Sequence, residues 1–156
     1  MRVAAVQMTS TDDVAANLAA AGKHVADATA LGATLVALPE NFAFLRREGE
    51  PIPCAQGLDG EIVGSLRDWA ARHRIWLLGG TFPEASSTGG RVHNTSVAVD
   101  PEGRIAAVYR KIHLFDVDLT AQGGVAYRAS DRVAPGAEPV RVETPFGGIG
   151  LSVCYD

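Results

Sequence analysis

Two short apolar runs, Thr34–Leu38 (TLVAL) and Ile75–Leu78 (IWLL), constrain this chain more than any other feature. Neither alternates with polar residues as a strand with one wet face would, so each reads as a strand buried on both faces. Each also follows a stretch whose apolar residues recur at helical spacing. The first stretch carries Val14, Leu18, Ala21, Val25 and Ala28, begins after capping candidates in Ser10–Asp13, and stops at Leu31-Gly32. The second opens at Gly60-Glu61 and sends Val63, Leu66, Trp69, Ala70 and His73 to one side. With Arg2–Met8 (RVAAVQM) as an alternating strand at the start, the order is β-α-β, loop, α-β. That order predicts helices packed on a mostly buried sheet, which is an α/β domain.

The second half predicts hairpins. Val92–Val99 and Arg104–Tyr109 flank the turn sequence Asp100-Pro101-Glu102-Gly103, and Val140–Glu143 and Ile149–Val153 flank Pro145-Phe146-Gly147-Gly148. Between them, Thr120–Gly136 reads as a loop. No repeat or linker divides the chain, so residues 1–156 are expected to form one domain, a length sufficient for a sizeable core.

Composition narrows the function. Fourteen basic residues against 18 acidic ones leave a net charge of −4, and the basic residues are scattered, which argues against a nucleic-acid surface. The apolar runs are strand-sized and predict no membrane association. Met1-Arg2-Val3 leads into a strand and not into a signal peptide, so a reducing cytoplasm is the expected home. The 2 cysteines, Cys54 and Cys154, and the 4 histidines show no metal-ligand spacing and no disulfide framework. Asn94-Thr95-Ser96 matches a glycosylation pattern that carries no meaning in that compartment. Gly147-Gly148-Ile149-Gly150 precedes a strand, where a dinucleotide site would follow one.

Three reactive residue types sit just beyond expected buried strands: Glu40 after TLVALP, Lys111 after the strand ending at Tyr109, and Cys154 after IGLSV. In open α/β sheets, ligands bind at the carboxyl ends of strands. Taken singly, such a glutamate is ordinarily solvated, a lysine beside an arginine is ordinarily a surface charge, and such a cysteine is ordinarily a small buried hydrophobe. Together they form a complete set for acyl transfer: a thiol nucleophile, a base to deprotonate it, and a cation to hold the thiolate and the oxyanion.

The segments LPENF (Leu38–Phe42), HNTSVAVDPEGRIAAVYRKIHLFDVDL (His93–Leu119) and GIGLSVCYD (Gly148–Asp156) resemble the three signature regions of the nitrilase, or carbon–nitrogen hydrolase, superfamily. MRVAAVQM resembles its first strand, and YRKIHLFDVD is most similar to the Nit branch, which includes amidases acting on α-keto-acid amides and on deaminated glutathione. The resemblance implies an α-β-β-α sandwich that pairs into a homo-oligomer, and hydrolysis of a non-peptide C–N bond in a small amide without cofactor or metal. It assigns the catalytic glutamate, lysine and cysteine to Glu40, Lys111 and Cys154, with the backbone N–H of Tyr155 as an oxyanion donor. Phe42, His113 and Tyr127 become candidate substrate contacts, with structural roles open to each; Asp116 could likewise line the pocket, and Cys54 reads as incidental.

Two departures from the family pattern favour a rival reading, a non-catalytic nitrilase-fold scaffold or interaction protein. In the segment Tyr127-Arg128-Ala129-Ser130, Ala129 stands where many members carry a second glutamate. Family domains also continue well past the nucleophile, so the sandwich is expected to be incomplete at the carboxyl end of these 156 residues.

Overall fold

The structure, a computed structural model, describes residues 1–47, 49–86 and 90–156. Its elements are β1 (Val3–Ala5), α1 (Val14–Ala30), β2 (Leu35–Ala37), α2 (Glu61–His73), β3 (Trp76–Leu78), β4 (Phe82–Ala85), β5 (Val92–Val99), β6 (Ile105–Arg110), β7 (Asp116–Asp118), β8 (Ala126–Arg128), β9 (Val140–Thr144) and β10 (Gly147–Leu151). No helix among the described residues is long and apolar enough to cross a membrane.

Six strands form one sheet. β1, β2 and β3 run parallel in that order, and β5 pairs antiparallel with β3, β4 and β6. β5 is long enough for β3 and β4 to lie end to end along one edge, with Leu77 and Leu78 opposite Val99 and Ala98, and Phe82 opposite Thr95. Between them, the chain kinks at Gly79–Thr81, and Gly80 adopts φ +51°. A Cβ at Gly80 would collide with the carbonyl oxygen of Pro39, so glycine is required where the chain passes beneath the segment carrying Glu40.

Period-two alternation sorts the strand side chains between two cores. Val36, Leu77, Val97 and Val99 face α1 and α2, where they pack with Leu18, Val25, Ile62, Leu66 and Phe82. Leu35, Trp76 and Ala98 face the other way and pack with Val142 of β9, alongside Ile149 and Leu151 of β10. The described residues therefore build α-β-β layers of the expected α-β-β-α sandwich, both helices lying on one face. Asp13 caps α1 by accepting from Ala16 N (3.0 Å). The α2 face also includes fully buried Ile62, while Trp69 packs at the core margin and His73 is half-buried beside Thr29.

The β5–β6 turn forms where expected because Asp100 accepts from Glu102 N (3.0 Å) and Arg104 N (2.9 Å), closing the Asp-Pro-Glu-Gly turn on itself. Phe82–Ala85, which carries no clear strand pattern in the sequence, is a strand formed because β5 offers it an edge. Two expectations need correction. The expected loop Thr120–Gly136 contains β8, which pairs with β7, and two short 3₁₀ turns. The strand before Cys154 ends at Leu151 and is only half covered, because β9 pairs along one edge and Trp76 and its neighbours cover a single face.

Candidate active site

Glu40 emerges from the carboxyl end of β2 after Leu38, whose N–H donates to Leu78 O (2.9 Å). Asn41, the next residue, sits at φ 57° and donates its N–H to Thr81 Oγ1 (2.7 Å). Asparagine tolerates that left-handed conformation better than most residues, so the chain turns sharply behind Glu40. Beyond it, fully buried Phe42 and Ala43 plug the principal core, and buried Asn17 of α1 donates to Ala43 O (3.0 Å). The strap bearing Glu40 is thus fixed at both ends.

Lys111 follows β6. Its backbone is held on both sides: Lys111 N donates to Asn94 O (2.9 Å) and Lys111 O accepts from Gly136 N (2.8 Å). A Cβ at Gly136 would strike Arg110 O, so glycine permits this approach. The adjacent Arg110 donates twice to Glu84, both at 2.6 Å, and Thr95 Oγ1 adds a third bond at 2.7 Å. Burial alone would raise the Glu84 carboxyl, but the bonds from Arg110 and Thr95 outweigh it and hold it below the usual carboxylate range. That buried pair pins the end of β6 to β4 and β5.

The two side chains meet. Lys111, 5% exposed, donates from Nζ to Glu40 Oε1 at 3.0 Å, and Asn94 Nδ2 donates to the same oxygen at 2.8 Å. Among the described residues no donor bonds Oε2, which is therefore the oxygen left to accept a proton. Glu40, Lys111 and Cys154 line one cleft of about 350 Å³, together with Asn94, Phe115, Ala129 and the guanidinium-bearing Arg46, Arg128 and Arg132. Cys154 also borders, with Glu40, a smaller recess of about 230 Å³ between β10 and the main sheet.

Cys154 is exposed and lies at φ 50°. A non-glycine residue there is strained by roughly 1–3 kcal/mol, a conformation that persists only where surrounding bonds over-determine it. Those bonds come from Asp156. Its backbone N–H closes the turn onto Val153 O (3.1 Å), and its side chain accepts from Val153 N (2.9 Å) and Tyr109 OH (2.6 Å). The same side chain accepts from Ile112 N (3.2 Å) and His113 N (2.8 Å), with His113 Nδ1 at 3.1 Å. Burial works to raise the Asp156 carboxyl, but these donors prevail and lower it to about 2. Burial and the Asp156 carboxylate push the Tyr109 phenol up to about 12.

The remaining sequence candidates fall elsewhere. Phe42 is fully buried in the principal core, so packing and not substrate contact holds it. His113 has a largely exposed side chain turned to Asp156, outside the cleft. Tyr127 lies at an outer recess beyond the cleft and packs on Phe115 at 6.0 Å between ring centroids. Tyr155, whose candidate role lies in the backbone N–H directly after Cys154, presents an exposed ring edge-on to Phe115 at 5.7 Å. Asp116 accepts from Ser130 N (3.0 Å) and ties down the β7–β8 hairpin. Sequence reading missed Asn94, dismissed as part of a glycosylation pattern, although its place opposite Pro83 in the β4–β5 register turns it toward Glu40. Asp156 was missed as well, since nothing local marks an aspartate most of whose side-chain partners are 43 to 47 residues away. No three His, Cys, Asp or Glu side chains among the described residues gather where they could hold a metal ion.

Comparison with known proteins bears on this arrangement. Residues 2–156 match the family model described as carbon-nitrogen hydrolase. Among curated relatives, a deaminated glutathione amidase from Synechocystis sp. is 38% identical over 156 residues, covering 98% of this chain and 57% of the relative. Omega-amidase NIT2 from Danio rerio is 35% identical, covering 99% of this chain and 54% of that protein. Among solved structures, the C. elegans NitFhit protein superposes with a TM-score of 0.85 at 34% identity, covering 98% of this chain and 37% of the other. The chain thus spans about half the length of the curated relatives it matches.

Proposed function

We propose, from the premise that this chain belongs to the carbon–nitrogen hydrolase family, that residues 1–156 form the amino-terminal portion of a Nit-like amidase domain. Its working groups are Glu40, Lys111 and Cys154. The observation that carries this reading is the 3.0 Å ion pair of Lys111 and Glu40 in a cleft also lined by Cys154. Cys154 Sγ attacks the amide carbonyl carbon while Glu40 takes the thiol proton. The carbonyl electrons move to oxygen, where Lys111 Nζ and the Tyr155 backbone N–H hold the oxyanion. Collapse of the adduct expels the amine, protonated by Glu40, and leaves a thioester. Glu40 then deprotonates a water that cleaves the thioester, releasing the acid and restoring the thiol.

Arg46, Arg128 and Arg132 line the same cleft, and a guanidinium that turns into it would favour an amide that also bears a carboxylate. Relatives named deaminated glutathione amidase and omega-amidase support that choice. The net charge of −4 and the free state of Cys54 and Cys154 support a cytoplasmic protein that acts on small molecules and not on nucleic acid. Homo-oligomers are the expected state of the whole domain.

The test is ammonia release by the intact protein from a dicarboxylic acid monoamide and from a neutral amide of equal length. The acid-bearing amide is expected to react faster, with a mass adduct on Cys154 that Cys154→Ala abolishes. A folded protein that releases no ammonia from either sinks the reading. The presence of Ala129 in the cleft would then favour a non-catalytic scaffold.

A further inference from the structure

The two segments that bring the thiol and the ammonium to the cleft are joined by one side chain. Asp156 lies two residues after Cys154, and Ile112 and His113 are the two residues after Lys111. Oδ2 of Asp156 accepts from Val153 N (2.9 Å) and Tyr109 OH (2.6 Å), which closes the turn with Cys154 inside it. Oδ1 accepts from Ile112 N (3.2 Å) and His113 N (2.8 Å), which grips the chain leaving Lys111. We infer that Asp156 is a positioning residue that locks the Cys154 turn to the Lys111 segment, so that thiol and ammonium keep a fixed spacing across the cleft.

Two further observations agree. Cys154 holds φ 50°, which a non-glycine residue keeps only under such restraint. The carboxyl is held near 2, so it stays ionised and accepts every one of these donors across the physiological range. The bonds need an acceptor at both oxygens. Asparagine has the same shape but one acceptor oxygen, and its NH2 would face one of the two donor sets.

The inference rests on the acyl-transfer reading, and the experiment separates the two. In the intact protein, Asp156→Asn is expected to lower kcat for the acid-bearing amide by about a hundredfold, with KM moving no more than about threefold. Alkylation of Cys154 by iodoacetamide, which needs the thiol but not its spacing to Lys111, is expected to change less than about tenfold. Circular dichroism sets the folded fraction. A kcat unaltered by Asp156→Asn, or falling only in step with the folded fraction and with alkylation, overturns the inference. Should Asp156→Asn fail to fold, Tyr109→Phe decides: it removes one donor and keeps the carboxylate. A several-fold fall in kcat at constant KM then supports the inference, and no change overturns it. If Cys154→Ala keeps wild-type turnover, the acyl-transfer reading itself fails; if Cys154→Ala is inactive while Asp156→Asn is fully active, only the positioning role fails.

Discussion

Lys111 is buried with its charge because Glu40 meets it at 3.0 Å, and each holds the other in place. Replacing Lys111 with alanine leaves Glu40 its bond from Asn94 and an edge open to solvent, so folding is expected to survive while the oxyanion loses a donor. Amide turnover should fall by about 10²–10³, measured as ammonia release at saturating substrate. Ala129 predicts the opposite direction. It lines the cleft with Lys111 and Cys154, and by the family pattern a carboxylate there would steady the ammonium. Ala129→Glu is expected to raise turnover by about tenfold or more, equivalent to roughly 1.4 kcal/mol per tenfold, with little change in Cys154 alkylation. Flat or abolished turnover would show that position 129 is not where that carboxylate acts.

At the scale of elements, the site depends on the gap between β3 and β4. Gly80 bridges it at φ +51° with the Pro39 carbonyl pressed against its Cα, and the strap above carries Glu40. Alanine there must both adopt the left-handed conformation and displace Pro39. Gly80→Ala is expected to cost more than about 1 kcal/mol in urea unfolding, beyond what the conformation alone would cost. Because Pro39 moves with it, turnover should fall further than the folded fraction does. A variant as stable as the parent with full activity would mean that the strap tolerates displacement.

For the whole molecule, acid is the informative variable. The Asp156 carboxyl is lowered in the folded state to about 2, below its value in the unfolded chain near 4. A lowered carboxyl contributes stability that is fully present above the unfolded value and is lost as pH falls through the folded one. The stability gap between the parent and Asp156→Asn is therefore expected to be widest above about pH 5, and to close between about pH 4 and 2 in urea titrations. Glu84 and Asp100 are shifted in the same direction and add to acid sensitivity. Assembly follows from edges. β1 ends the main sheet with Val3 half-exposed, and β10 pairs only with β9 among the described strands. A chain of these 156 residues expressed alone is expected to self-associate in sedimentation, since such edges template pairing with other chains. A compact, stable monomer would contradict this.

The sequence by itself determined the elements whose signal is local. Helical spacing marks α1 and α2, unbroken apolar runs mark β2 and β3, and the self-bonding Asp100 turn marks β5 and β6, because each pattern lies within one continuous stretch of chain. The resemblance of three segments singled out Glu40, Lys111 and Cys154. Only the tertiary structure decided what depends on distant partners. Phe82–Ala85 became a strand because β5 left an edge beside β3, and β8 did so because β7 lay opposite. Phe42 went to the core because the strap behind Glu40 turns inward at Asn41. Asn94 and Asp156 acquired their roles from groups 54 and 43–47 residues away, a distance over which composition and periodicity carry no information about which donors an oxygen will meet.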